Sequence, residues 1–208
     1  MKNNILMSVL LTASLSAALP LSAASHVDVV KMRTENRVNP LGIGTSTPRF
    51  SWQITSDRKG VVQTSYQILV ASSREKLDRN EADLWDSGER NSDEQLWIPY
   101  QGKALLSGAQ AYWKVRITTN KRKSEWTEPQ LFTIGLLGET KWSGTWIGLE
   151  DLQPGEQKGM HTRLAARYIR KDFAAKGKVK RAVAYVAGLG VYEFYVNGQR
   201  MGGSQALQ

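Results

Sequence analysis

The stretch Arg49-Phe50-Ser51-Trp52-Gln53-Ile54 constrains this chain most. Phe50, Trp52 and Ile54 alternate with polar residues, and a period of two places all three apolar side chains on one face of a strand. Such a face needs a cover, and the rest of the chain offers further strands but little helix. Ser56-Asp57-Arg58-Lys59-Gly60 is polar and closes on a glycine, so it reads as the connection of two antiparallel strands leading into Tyr66-Gln67-Ile68-Leu69-Val70, with Ile68 and Val70 inward. The expected fold class is all-β, beginning with a β-sandwich.

Further strands fit the same pattern. Val27, Val29 and then Val30, Met32 read as an edge strand whose register slips by one residue, as at a bulge or a sheet crossing. Asn39-Pro40-Leu41-Gly42 and Thr47-Pro48 make a rigid, non-helical lead into Phe50. The segment 72–84 is the one helical candidate, about two turns long, with Ser72 and Glu75 as a capping box and Leu77 on its covered side. Asp86-Ser87-Gly88 turns the chain, and Leu96, Ile98 and Tyr100 alternate as a strand that Pro99 marks as an edge. Trp113, Val115 and Ile117 share a face of the best central-strand candidate. Asn120 to Lys123 is a tight polar turn, and Leu131 to Ile134 the last strand. About seven strands with turns at short intervals fit an immunoglobulin-like or fibronectin-III-like sandwich over residues 25–149. Leu106, Gly108 and either Tyr112 or Trp113 fit the aromatic corner of such folds.

Residues 150–165, polar and with Pro154-Gly155 and Gly159, read as a linker. Strands resume at Tyr168 to Phe173, Val179 to Ala187 and Val191 to Val196. Asn197-Gly198 is the strongest hairpin signal in the chain, because both turn positions need positive φ. Residues 166–208 are too few to cover both faces of a sheet, and are expected to be the start of a larger domain.

The first two dozen residues read as an export signal. Lys2 precedes an apolar run from Ile5 to Leu21, and Ser22-Ala23-Ala24 supplies a cleavage site. Pro20 and the short run argue against a membrane anchor. The expected location is periplasmic or extracellular, with no membrane anchor after cleavage. The absence of cysteine leaves stability to packing alone. A net charge of +9 could attract polyanions, but the basic residues fall in short clusters, Lys121 to Lys123 and Lys176 to Arg181, separated by acidic stretches. No phosphate-tracking stripe results, and no nucleic-acid partner is expected.

Sugar hydrolysis would need two carboxylates flanking a bond. Asp83, Asp86, Glu89, Asp93 and Glu94 supply the residue type, but on turns and a helix end where a solvated rim is the simpler reading. His26 and His161 have no partners at metal-ligand spacing, and no Gly-x-Ser-x-Gly elbow is present. Gly188-Leu189-Gly190 lacks a third glycine at nucleotide-binding spacing and reads as a tight turn. No catalytic, cofactor-binding or metal-binding residue is therefore assigned. Of seven tryptophans, Trp52 and Trp113 are in phase with core residues. Trp97, Trp126, Trp142 and Trp146 are out of phase or in loops, where each could pack or offer a sugar a flat face.

In order and spacing, several motifs resemble the N-terminal region of bacterial α-L-rhamnosidases. They are Asn39-Pro40-Leu41-Gly42-Ile43, Thr47 to Trp52, Gln63 to Ser72, Asp83-Leu84-Trp85-Asp86-Ser87-Gly88, Tyr112 to Arg116, Ser124-Glu125-Trp126, Gly135-Leu136-Leu137 and Trp146-Ile147-Gly148. Arg167 to Lys171, Gly188 to Gly190, Tyr192 to Tyr195 and Asn197-Gly198 resemble the start of that family's jelly-roll accessory domain. The resemblance implies a fibronectin-III-like sandwich and a truncated jelly roll, preceding an (α/α)₆ barrel that hydrolyses terminal α-L-rhamnosides with inversion. Nothing of the barrel is here, so the resemblance implies a non-catalytic N-terminal fragment that meets rhamnose-containing glycans through the full-length enzyme. The alternative is a secreted module that binds carbohydrate or mediates adhesion on its own. After Asn197-Gly198 the family usually has an aspartate, where this chain has Gly202-Gly203.

Overall fold

The structure, a computed structural model, describes residues 26–138, 142–148, 154–156, 159 and 166–205. The expected signal segment at 1–24, most of the expected linker and His161 lie outside the described residues. The chain divides into two compact units between Gly144 and Thr145.

In the first unit the strands are β1 (Val27–Thr34), β2 (Arg49–Ser56), β3 (Gln63–Ala71), β4 (Trp85–Asp86), β5 (Ile98–Pro99), β6 (Gln110–Thr119) and β7 (Gln130–Thr133), with one helix, α1 (Arg74–Asp78). They form two sheets, β1-β2-β5 and β4-β3-β6-β7, all pairs antiparallel. This is a fibronectin-III-like arrangement, in which the fourth strand joins the sheet of the third, sixth and seventh.

The core lies between the sheets and follows from the period-two faces. Phe50, Trp52, Ile68, Val70, Trp113, Val115, Ile117 and Phe132 are essentially inaccessible, and each such large side chain contributes about 2–3 kcal/mol by leaving water. Phe50 sits at the centre, 4.4 Å from the Trp113 ring centroid and 5.8 Å from that of Phe132. Trp52 is buried with its polar edge satisfied: the indole Nε1 donates to Gln63 Oε1 at 3.0 Å, and Gln63 Nε2 donates to the carbonyls of Ser92 and Glu94. The Gln63 side chain thereby holds the irregular 92–94 segment beside Trp52.

The expected bulge in β1 is present. Register shifts between Val30 and Arg33, and Lys31 takes φ 50°. β1 is an edge of its sheet. Beyond it, Ile43 bridges Ile134 in parallel, so the chain from β1 crosses to the second sheet before returning to β2.

In the first unit four details differ from the sequence reading. Residues 56–60 connect strands in opposite sheets rather than a hairpin, because the faces of Phe50-Trp52 and Tyr66-Ile68 each need a cover and supply it to one another; Trp52 and Tyr66 meet edge to face at 5.3 Å. The helix is five residues long and starts one residue later than expected: Ser73 is its N-cap, accepting from Lys76 N, while Ser72 is held by Asp83. Leu77 is buried as expected. Leu96 is exposed although Ile98 and Tyr100 are buried, because Trp97 adopts φ 60° and breaks the alternation. The aromatic corner is not built from Tyr112, whose hydroxyl pairs with the Gln110 amide, nor from Trp113, whose indole N–H is buried without a partner. Tyr100, directly after β5, is the buried tyrosine whose hydroxyl closes a loop here, donating to the Lys103 carbonyl at 2.7 Å. Gly102 lets that loop close, since a Cβ there would lie 2.4 Å from both the Leu84 carbonyl oxygen and Trp85 Cβ.

In the second unit, β8 (Tyr192–Val196) and β9 (Gln199–Gln205) form the expected hairpin. Asn197 and Gly198, at φ 49° and 77°, supply the two left-handed residues of a type I′ turn. Gly190 takes φ 107°, as the tight-turn reading requires. The strands expected at Tyr168 to Phe173 and Val179 to Ala187 do not form among the described residues. A stretch with strand-forming residues becomes a strand only where a neighbour supplies ladder partners, and here Tyr168, Phe173 and Val183 stay exposed. A bidentate ion pair joins Arg167 to Glu156 in this unit.

Candidate functional site

The carboxylates singled out in the sequence are spread over the second sheet's turns and bound into the scaffold. Asp83 accepts hydrogen bonds from Ser72 N, Ser72 Oγ and Lys76 Nζ at 2.9, 2.7 and 2.6 Å. Burial pushes its pKa up, but the bonds from Lys76 and Ser72 outweigh this and bring it down to about 2. Asp86 Oδ1 accepts from Gln67 and from Gly88 N, shaping the expected turn. Glu89 is held below the usual carboxylate range by the Ser65 hydroxyl, with Lys123 and Thr118 adding to the effect. A glycosidase acid needs its carboxyl raised so that it can carry a proton near neutrality. Asp83 and Glu89 are displaced the other way. Asp93 and Glu94 are exposed beside the backbone that anchors Gln63.

The loop tryptophans differ in surroundings. Trp97 is 41% exposed and carries the Arg49 guanidinium 4.2 Å from its ring centroid. That guanidinium is held by Glu35 through two bonds of 3.1 and 2.7 Å. Trp126 is half-buried, packed on the cluster of Leu69, Ala71 and Leu77, with Arg116 at 4.4 Å and Lys114 at 5.1 Å from its centroid. Trp142 and Trp146 are exposed.

Sequence reasoning attached no role to Lys114 and Arg116. Both project from the outer face of β6, yet Lys114 is 5% exposed because α1 and Trp126 lie over it. Its ammonium donates to the last-turn carbonyl of Leu77 and to Asn80 Oδ1, capping the helix. Desolvation lowers its pKa. The buried Leu77 was the available signal, since an inward leucine on a helix beside β6 implies that this face of the sheet is covered.

A groove of about 530 Å³ opens between β1 and residues 122–130. One wall is the outer edge of β1. The other runs alongside β6, held by Ser124 N to the Ile117 carbonyl and Thr127 N to the Val115 carbonyl. Val30, Met32, Val38 and Trp126 contribute apolar surface, and Asp28 and Glu125 carboxylates. His26 Nε2 lies 2.6 Å from Asp28 Oδ2 at one end. Among the described residues no cluster of three or more potential metal ligands occurs.

A seven-stranded sandwich with this strand order defines an immunoglobulin-like domain. The match is specific: residues 29–138 fit the Rha78A-like, N-terminal immunoglobulin domain, and the chain belongs to that family. Residues 177–208 match the α-L-rhamnosidase N-terminal domain. An α-L-rhamnosidase of Formosa agariphila is 35% identical over 193 residues, covering 86% of this chain and 20% of the relative. One from Alteromonas sp. is 35% identical over 175 residues, covering 83% and 19%. The structure of Streptomyces avermitilis α-L-rhamnosidase complexed with L-rhamnose superposes with a TM-score of 0.55 at 35% identity, covering 59% of this chain and 12% of that one. The chain thus spans about a fifth of the length of the curated relatives it matches.

Proposed function

We propose that this chain is the N-terminal, non-catalytic region of an exported α-L-rhamnosidase, in which hydrolysis of terminal α-L-rhamnosides is carried out by a catalytic domain lying outside these 208 residues. The observation that carries the reading is the continuous likeness to a rhamnosidase over 193 residues, which runs through both units rather than the sandwich alone. In this reading the β8–β9 hairpin belongs to a jelly-roll sandwich, and residues 1–24 direct export.

The chemistry supports a supporting role. Inverting hydrolysis needs an acid and a base about 6.5–9.5 Å apart with room for water between them. Asp83, Asp86 and Glu89 instead each fix a turn or strand end. The test is release of p-nitrophenol from p-nitrophenyl α-L-rhamnoside. The 208-residue chain should release none, and the same chain fused to the remaining part of its Formosa agariphila relative should release it steadily. Turnover by the short chain, or a fusion inert on rhamnosides, would overturn the proposal.

A further inference from the structure

We infer that the groove between β1 and residues 122–130 is a non-catalytic binding site for a neutral, deoxyhexose-bearing oligosaccharide, an inference that rests on the rhamnosidase reading for the choice of sugar. Its volume of about 530 Å³ falls in the range of small-ligand sites, roughly 300–1,000 Å³. Its lining carries both signs on both walls, Asp28 and Lys31 on one and Arg122, Glu125 and Glu128 on the other. A site of mixed charge does not select one ion, but its charged groups can hold pairs of hydroxyls.

The rest of the lining is apolar in the manner a deoxy sugar needs. Val30 and Val38 line the same groove as the half-buried Trp126, the valines offering apolar surface to the methyl group that replaces a hydroxymethyl and the indole an aromatic surface to the C–H face of the ring. Trp126 is held in place from behind by Leu69 and Leu77 and by the Arg116 guanidinium, so the surface exists before a ligand arrives. The competing use of such a groove is the addition of an extended peptide to the β1 edge. The bulge at Lys31 disfavours it, because the register shift between Val30 and Arg33 interrupts the row of ladder groups a new strand would need.

The test is titration of the full chain with methyl α-L-rhamnoside and with L-mannose, which adds a hydroxyl at C6, followed by calorimetry and by the Trp126 indole N–H resonance. We expect saturation by the rhamnoside with a Kd of the order of 1 mM and about tenfold weaker binding of L-mannose. Trp126→Ala should abolish the response. Val38→Asp, at a position 60% exposed and so harmless to folding, should weaken binding about tenfold by placing a charge on the methyl patch. No saturation by the rhamnoside, binding unaltered in Val38→Asp, or protection of β1 amides by an extended peptide but not by sugar would each overturn the inference. Failure here leaves rhamnoside hydrolysis by the longer polypeptide untouched, and failure of that hydrolysis leaves this titration readable.

Discussion

The two units spend similar residues in opposite ways. Phe50 in the first unit and Phe173 in the second both come from stretches whose sequence reads as a strand, yet Phe50 is fully buried and Phe173 is 82% exposed. Phe50 has Trp113, Phe132 and Tyr100 around it, because seven strands close on one another. Among the described residues of the second unit the paired strands are β8 and β9 alone, and a two-stranded hairpin has no opposite face to offer. Alternation in a sequence states a need for cover. Whether the need is met depends on what else is folded nearby.

Substitution tests that comparison most directly. Phe50→Ala should cost about 3–5 kcal/mol in denaturant-unfolding stability, from lost transfer energy and the cavity left at the centre of the core. Phe173→Ala should stay within about 0.5 kcal/mol. Equal effects would show that Phe173 is covered in solution and that the contrast is false.

A smaller effect sharpens the contrast within the first unit. Gly102→Ala drives a methyl into the Leu84 carbonyl and Trp85, 2.4 Å away, and should cost about 1–3 kcal/mol with loss of the Tyr100 hydroxyl bond. Gly60, with open space around it but φ +69°, should cost about 1 kcal/mol on the same change, through backbone strain alone.

The smallest effect is electrostatic. The pKa of Asp83 falls from 3.8 in its ordinary state to about 2 in the fold, so its contribution is full above pH 4 and drains away as pH falls towards 2. The Asp83–Lys76 pair is about a third exposed, and the loss should be no more than about 1 kcal/mol once solvent screening is allowed for. Asp83→Asn should flatten the slope of stability between pH 4 and pH 2. An unchanged slope would place the acid-sensitive contact elsewhere.

The sandwich was legible because its signals are local. Period two at Phe50-Trp52 and Trp113-Val115-Ile117 and the turn at Asn197-Gly198 each specify geometry within a few residues, and the slip in the β1 pattern signals the bulge that the structure places one step later, between Val30 and Arg33. Assignment of strands to sheets was not local, so the crossing at residues 56–60 was read as a hairpin. Positive φ at Trp97, a non-glycine residue, left no trace in the pattern and cost the expected burial of Leu96. The groove was unreadable for a related reason. It is the space between two segments about a hundred residues apart, and nothing in either segment names the other.

The crossing of the first segment to the second sheet has a consequence for synthesis. Ile43 N donates to the Thr133 carbonyl, and Gly135 N to the Ile43 carbonyl. Gly135 has no side chain to hold these backbones apart, since a Cβ there would come within 3.0 Å of the Gly42 carbonyl oxygen. A ribosome adding about 5–20 residues per second completes this junction only after it has made everything between, so the leading segment waits several seconds for its partner. During that interval β1 and β2 can pair while the segment around Ile43 remains open to chaperones, and the domain locks from its first segment only when its last strand has emerged.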